Sequence, residues 1–153
     1  MSNVTTDTED AGCACGRLRL RVNGEPARVG LCHCLDCRKA HAAAFGAFVV
    51  FPADDVEIRL NEGASVGRFD RGTYARYFCR HCGAHVYAKS EGSPEIELFL
   101  GSFDDPNRFI PTYEAWSKRR EKWLGSLPTI EHRYVEDAQI KTGRPVADGQ
   151  SGC

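Results

Sequence analysis

Three cysteines lie within six residues, and no other stretch of the chain is so rich in groups that could do chemistry. They are Cys32, Cys34 and Cys37, and two cations, Arg38 and Lys39, follow them directly. A disulfide between cysteines two positions apart is strained, because backbone that close together rarely meets the geometry that the sulfur atoms require. Three thiols also cannot all pair with one another. The spacing therefore favours a metal site over a disulfide.

The other cysteines divide into two short pairs and one terminal thiol. Cys13 and Cys15 form one pair, Cys79 and Cys82 form the other, and Cys153 is the last residue. Without the terminal thiol seven remain, a number that divides as four plus three. A structural zinc site is closed by four protein ligands, whereas a catalytic site commonly has three and keeps the fourth position for water or substrate. The count therefore predicts one structural and one catalytic zinc.

The grouping of these thiols is a hypothesis at this point. We expect the two distant pairs to form a four-thiolate site that ties the N-terminal segment to the middle of the domain. The triad of Cys32, Cys34 and Cys37 would then form the open site. One alternative is iron or an iron-sulfur cluster, which would be coloured where zinc is not. Another is a disulfide-stapled secreted domain, which the short spacings and the missing signal sequence disfavour.

The chain contains three cysteine motifs: Cys-Ala-Cys-Gly at 13–16, Cys-His-Cys-Leu-Asp-Cys-Arg-Lys at 32–39 and Phe-Cys-Arg-His-Cys-Gly at 78–83. In order and spacing they resemble those of the glutathione-dependent formaldehyde-activating enzyme family, also called the GFA or CENP-V-like domain. The resemblance covers roughly residues 12–125 and implies a mainly β, tent-like fold, the β-tent. It also implies a structural zinc at Cys13, Cys15, Cys79 and Cys82 and a catalytic zinc at Cys32, Cys34 and Cys37.

The activity that this resemblance implies is carbon-sulfur lyase chemistry. Formaldehyde joins the glutathione thiol as S-hydroxymethylglutathione, and the reverse reaction releases it. Zinc suits this chemistry because it binds thiolate and, as a Lewis acid, lowers the pKa of a bound water or thiol. The zinc could bind the glutathione sulfur or polarise the aldehyde oxygen, and both choices stay open. The alternative function is a non-catalytic, zinc-stabilised β-tent module that acts as a binding scaffold.

Charged and titratable residues beside the triad are candidates for substrate binding and proton transfer. Arg38 and Lys39 could offset the net negative charge of three thiolates on Zn²⁺, or attract the carboxylates of glutathione. His33, between two ligands, could shuttle a proton or have a structural role. Asp36 is predicted to cap the helical turn that follows it. His41 could be a fourth ligand, which would close the site.

The remaining histidines and the last cysteine are not assigned to zinc. His81 and His85 lie within or just after the Cys79/Cys82 pair, where four cysteines already complete a site. His132 belongs to no motif, and Cys153 is expected to be a free thiol that could reach a metal or oxidise.

Length and composition indicate one globular domain with no global preference for a charged partner. A chain of 153 residues with 42% hydrophobic and 27% charged residues can bury an ordinary core. The net charge of −1 gives no reason to expect nucleic acid or a membrane as partner. The polar, acidic first ten residues do not form a secretory signal, and no apolar run approaches the ~20 residues of a membrane span. We expect a cytoplasmic protein, and its oligomeric state stays open.

A basic run between two tryptophans has two interpretations. The run Lys118 to Arg120 lies between Trp116 and Trp123, and cations beside aromatic rings can bind single-stranded nucleic acid. Short basic runs are more often solvated surface, and we favour that interpretation. The segment also departs from the family pattern, because five residues separate Ser117 from Trp123 where the family has a short proline-containing step. This departure bears on which thiol is the substrate.

Hydrophobic periodicity predicts a mainly β fold with many short strands. Arg17–Val22 alternates polar and apolar residues, and Gly46–Phe51 is a continuous apolar run closed by Pro52. Gly83 is placed to adopt the positive φ that a metal-binding turn often needs. Further strands are predicted over 27–31, 56–60, 66–70, 73–78, 84–89, 95–100 and 112–116, with a helical turn over 38–44. The predicted organisation is a disordered leader over 1–11, the zinc domain over 12–134 and a flexible tail over 135–153.

Overall fold

The structure is a computed structural model that describes residues 10–127 and 131–132. It is mainly β, as the sequence predicted. The described residues form two compact units, the first from residues up to 27 and 50–108, the second from 28–49 and from 109 onward. The strands are β1 (Ala11–Gly12), β2 (Leu18–Val22), β3 (Arg28–Cys32), β4 (Gly46–Pro52), β5 (Val56–Leu60), β6 (Val66–Arg71), β7 (Tyr74–Cys79), β8 (His85–Ser90), β9 (Glu95–Phe99), β10 (Tyr113–Ala115) and β11 (Glu131–His132), and the α-helix is α1 (Leu35–His41).

A small antiparallel sheet in the first unit has the strand order β1-β2-β5. In β2 the apolar residues Leu18, Leu20 and Val22 are buried, because alternate side chains of a strand share one face. Ala11 is fully buried in β1, and the Asp10 carboxylate accepts a hydrogen bond from the Val22 N–H at 2.8 Å. These two residues of the predicted leader therefore belong to the fold, while 1–9 lie outside the described residues.

The other strands of the first unit form an antiparallel meander in the order β6-β7-β8-β9. Its register shifts between Tyr77 and Phe78, at the point where β7 approaches its cysteine. β7 ends at Cys79, so the meander carries the second short cysteine pair in the turn that leads to β8. The buried core of this unit includes Leu18, Leu20, Phe51, Val86, Ile96 and Leu98.

The second unit differs from the sequence-based prediction in its strand directions and in its helix. β10 lies between β3 and β11 and pairs with both in parallel, which the sequence did not predict. In this register Ala115 lies opposite Cys32, and Glu114 lies opposite Leu31. The helix α1 begins at Leu35, three residues before the predicted helical turn over 38–44, so it includes the last cysteine of the triad.

All the predicted strands are present, and their ends either agree with the prediction or differ from it by one residue. Gly83 has the expected positive φ of 75°. The tail predicted over 135–153 lies outside the described residues, and the β-tent label stays a prediction. Within the described part of the chain, no helix combines the length and the apolar character that a membrane-spanning helix needs.

Candidate metal centres

The two short cysteine pairs come together in the first unit. The Sγ atoms of Cys13, Cys15, Cys79 and Cys82 all lie within 4.8 Å of one another. Cys13 and Cys15 have their Sγ atoms 3.5 Å apart, and those of Cys15 and Cys79 are 3.7 Å apart. Four sulfurs around one zinc, each at about 2.3 Å, would be separated by about 3.8 Å in a tetrahedron. The four-thiol cluster therefore fits a closed zinc site in both donor type and spacing.

Backbone hydrogen bonds fix the two turns that carry these thiols. The N–H of Gly83 donates to the carbonyl of Cys79 at 2.8 Å, and the N–H of Cys79 donates to the carbonyl of Ala84 at 3.0 Å. On the other side, the N–H of Leu18 donates to the Cys13 Sγ at 3.3 Å. These bonds hold the backbone of both turns in place beside the four sulfurs.

The pKa values of this cluster also favour thiolates at two of its positions. The backbone N–H of Arg17 is the main cause that lowers the pKa of Cys15 to about 6. Burial opposes ionisation of Cys82, but the backbone N–H groups of Ala84 and Cys15 lower its pKa overall. At Cys79 the backbone N–H of Cys82 favours the thiolate, yet burial and the contact with Cys15 together raise the pKa. Metal binding would require that last thiol to lose its proton.

The three remaining thiols meet in the second unit. The Sγ atoms of Cys32, Cys34 and Cys37 all lie within 4.8 Å of one another, and all three residues are buried. Cys32 ends β3, Cys34 precedes α1 and Cys37 lies in its first turn, so a strand-to-helix junction gathers the thiols. Three soft donors fit a zinc site with one position left for another ligand.

The oxidation state of the triad bears on its use as a metal site. Cys34 takes part in a disulfide, whereas the other six described cysteines do not. Ligation by all three thiolates therefore requires that bond to be reduced, as it would be in a reducing compartment.

The residue that caps α1 is Cys34, so the prediction that Asp36 is the cap is wrong. Cys34 has extended backbone angles, φ −62° and ψ 157°, and its Sγ accepts the N–H of Cys37 at 3.3 Å. Asp36 lies one position inside the first residue of the helix, in its first turn. A carboxylate there is favoured by the positive end of the helix dipole, but it does not cap.

His41 lies outside the group of triad donors. Within the described residues, both groups of potential metal ligands consist of cysteines alone. The His41 ring instead lies beside Gly46, where an added Cβ would come within 3.0 Å of the ring and 3.2 Å of the Cys37 Cβ. This arrangement leaves the fourth position of the triad without a histidine ligand.

His33 is fully buried and binds a carboxylate that was not predicted from the sequence. Its Nε2 lies 2.7 Å from Oε2 of Glu114, and its ring packs edge-on against Phe45 with centroids 5.7 Å apart. The other oxygen, Oε1 of Glu114, accepts from His132 Nδ1 at 2.5 Å and from an Arg120 Nη2 at 2.8 Å. The available signal was a single acidic residue among apolar neighbours in a predicted strand.

The Glu114 carboxylate is held in its ionised form. Burial by itself would raise its pKa, but the hydrogen bonds from His33 and His132, together with the charge of Arg120, lower the pKa below its ordinary value. His132, which belonged to no sequence motif, is therefore a partly exposed partner of this buried carboxylate.

The cations predicted for substrate binding are placed differently from each other. The Arg38 guanidinium forms an ion pair with Glu121, so part of its charge is already matched. Lys39 is exposed on the same short helix. An exposed cation is the better placed of the two to meet a carboxylate from solution.

Side chains of the basic run at 118–120 contact the ring of Trp116 and the carboxylate of Glu114. Lys118 Nζ lies 5.1 Å from the Trp116 ring centroid, and the Arg119 guanidinium carbon lies 4.8 Å from it. Trp116 is buried, whereas Trp123 is 72% exposed. The Trp116 ring is therefore occupied by the chain's own cations and cannot serve as an open stacking platform.

The fold and the two thiol clusters define a mainly β protein with two cysteine centres that could hold metal. The family model described as glutathione-dependent formaldehyde-activating enzyme matches residues 8–119, which is most of the chain. The protein belongs to this family. The crystal structure of a Rhodobacter sphaeroides protein is similar, with a TM-score of 0.50 and 20% identity over 65% of this chain and 91% of that chain. This second likeness supports the fold alone.

Proposed function

We propose that the protein is a zinc-dependent carbon-sulfur lyase that joins formaldehyde to glutathione and cleaves the adduct. The membership of the family supports the substrates, and one structural observation carries the proposal: seven thiols divide into a four-thiol and a three-thiol cluster. The four-thiol cluster would hold a structural zinc, and the triad would hold a catalytic one. A cytoplasmic location, with no nucleic-acid or membrane partner, completes the proposal.

The proposed reaction needs no oxidant or reductant. A bond forms between the thiol sulfur and the aldehyde carbon, while the proton of the thiol ends on the aldehyde oxygen, and the reverse reaction undoes both changes. Zinc bound at the triad would supply Lewis acidity, which favours the thiolate and polarises an aldehyde oxygen.

The residues of the chain have separate tasks in this proposal. Cys32, Cys34 and Cys37 provide the thiolates that bind the metal, and their burial limits the access of water to it. Lys39, and Arg38 to the extent that Glu121 leaves its charge available, would attract the carboxylates of glutathione. The half-buried ion pair of Arg38 with Glu121 also ties α1 to the segment around residue 121.

The proposal is tested by metal content and thiol response together. We expect two zinc ions per chain in reduced protein, and a cobalt-substituted sample whose visible spectrum changes on titration with glutathione. Adduct formation is followed by NMR with labelled formaldehyde. The variant Cys34→Ser should lose one metal and the activity but retain its fold by circular dichroism.

The matched control is Cys153→Ser, which replaces a cysteine that belongs to none of the three motifs and which the proposal expects to retain two metals and full activity. Global unfolding of Cys34→Ser would contradict a catalytic role for the triad. Two metals with no spectral response to any thiol would contradict the lyase.

The burial of the triad favours one second candidate, a zinc-stabilised scaffold without catalysis. Cys32, Cys34 and Cys37 are 2%, 0% and 6% exposed, which restricts the approach of a substrate. In that case the metal at the triad would resist both thiols and chelators, and the same cobalt titration separates the two functions.

A further inference from the structure

We infer that Glu114 is a positioning residue for the triad, and that it acts through His33. The inference rests on the proposed function only in taking the triad as a metal site. Its physical basis is a buried carboxylate that reaches the residue between two of the thiols.

Glu114 is the only buried carboxylate among the described residues, with 1% exposure. Removing a carboxylate from water is costly unless charged or polar partners replace the water. Here three donors do so: His33 on one oxygen, and His132 and Arg120 on the other. A pair of apolar residues could fill the same volume, so the retained charge indicates a task other than packing.

His33 transmits the position of Glu114 to the thiols because it lies between Cys32 and Cys34 in the chain. Its side chain is held by Glu114, and its backbone N–H donates to the carbonyl of Ala115 at 3.0 Å. Both contacts come from β10, whose parallel register with β3 places Ala115 opposite Cys32. The turn between the first two thiols is therefore held at its backbone and at its side chain by one strand.

Two further side chains, Arg120 and His132, contact the other oxygen of the Glu114 carboxylate. Arg120 is 20% exposed and His132 is 38% exposed at their side chains, so both approach the buried carboxylate from the direction of solvent. The His132 Nε2 has Ser126 Oγ at 3.3 Å. With donors on both oxygens, the carboxylate has one favourable orientation, and so has the imidazole that it binds.

The test replaces the carboxylate by an amide of the same shape. In Glu114→Gln the oxygen of the amide can accept from only one side, and its NH₂ group must face a donor on the other. We expect the affinity of the triad for Co²⁺ or Zn²⁺, measured by chelator competition, to fall about 10- to 100-fold. The affinity of the four-thiol cluster should not change. Glu57→Gln, which replaces a half-exposed carboxylate of the first unit, is the matched control and should leave both affinities unchanged.

A double variant shows whether Glu114 acts through His33. In a His33→Asn background, Glu114→Gln should have no further effect on the affinity of the triad, because the link is already broken. The inference would be overturned if Glu114→Gln lowered the affinity of the triad as much in the His33→Asn background as in the wild type. A wild-type affinity and cobalt spectrum in Glu114→Gln would also overturn it. If Glu114→Gln does not fold, the single variant His33→Asn serves as the test. A lower metal affinity at the triad alone supports the inference, and a wild-type metal affinity at the triad overturns it.

Thiol reactivity in metal-free, reduced protein gives a readout that does not depend on activity. The alkylation rates of Cys32 and Cys34, measured by mass spectrometry, should rise in Glu114→Gln relative to wild type, and those of Cys13 and Cys79 should not. Unchanged rates at all four positions would overturn the inference. A protein that lacks lyase activity but shows the selective effect would refute the proposed function and leave this inference standing.

Discussion

At the scale of single residues, His33 has a partner that its position in the sequence does not indicate. It lies between two thiols of the triad, yet its Nε2 is directed at a carboxylate 81 residues away. The sequence allowed a proton shuttle or a structural role for this histidine. Its full burial and its bond to Glu114 favour the structural role, with the imidazole as the link between β10 and the triad.

The first prediction at this scale concerns stability in acid. Glu114 has a lowered pKa in the folded state, so its contribution to stability is present above its ordinary value of 4.5 and is lost as the pH falls through the lower folded value. Glu114→Gln lacks this contribution. The difference in the free energy of unfolding between wild type and variant should therefore be largest near neutral pH and shrink below about 4.5.

Urea denaturation of both proteins, metal-free and over a series of pH values, measures this difference. Protonation of the thiols cancels in the comparison, because both proteins contain the same cysteines. A difference that is independent of pH would show that the carboxylate is not ionised in the folded protein.

At the scale of elements, each thiol cluster is gathered by a tight backbone junction. The triad lies where β3 passes into α1, and Cys34 caps that helix with its own sulfur. The second cysteine pair lies in the turn between β7 and β8, which closes with Gly83 at a φ of 75°. Local backbone geometry thus brings the three triad thiols together by itself, whereas the turn at Cys79 and Cys82 supplies only half of the four-thiol cluster and needs the distant pair Cys13 and Cys15.

The prediction at this scale is that Gly83→Ala strains the turn without a clash. An added Cβ would meet nothing within 4 Å, so the cost is the positive φ alone, roughly 1–2 kcal/mol of unfolding free energy. The four-thiol cluster should bind zinc more weakly, and the triad should be unaffected.

Gly101→Ala is the matched control, because a Cβ there also meets nothing within 4 Å and no positive φ is required. Chemical denaturation and chelator competition measure the two effects. Equal effects of the two substitutions would show that the conformation of Gly83 does not matter.

At the scale of the whole molecule, the two clusters differ in how much of the chain they join. The four-thiol cluster connects Cys15 with Cys79 across 64 positions, whereas the triad spans only residues 32–37. A cross-link restricts the unfolded chain more when it closes a longer loop. By the chain-entropy relation, a closed loop of this length contributes roughly 4 kcal/mol of stability.

We therefore expect Cys79→Ser to lower the stability of the zinc-loaded protein by several times more than Cys34→Ser does. Thermal unfolding with zinc, and again after chelation, measures both effects, and chelation should abolish most of the difference between the two variants. Equal destabilisation with zinc bound would show that the first cluster does not hold a structural metal.

Much of the site could be predicted from the sequence because its parts are local. Cys-x-Cys and Cys-x-x-Cys spacings limit where the sulfurs can point, so the sets of four and three followed from short motifs, and both sets meet in the structure. The strands at Arg17–Val22 and Gly46–Phe51 were equally accessible, since alternation and continuous apolar runs are properties of neighbouring residues.

Other features could not be predicted, because they depend on which distant residues meet. The cap of α1 was assigned to Asp36 from its residue type, but the helix starts earlier and the sulfur of Cys34 takes that position. The basic run suggested a solvated surface, yet Arg120 reaches a buried carboxylate and two cations cover Trp116.

The sequence by itself determined the two sets of cysteines that could hold metal, most of the strands and the family of this protein. The tertiary structure alone decided the parallel alignment of β10 with β3, and with it the contact of Glu114 with His33. The physical reason is that donor spacing and side-chain alternation are encoded within a few residues. The partner of a buried charge is fixed only when separate strands align, since that alignment sets which donors replace the water around it.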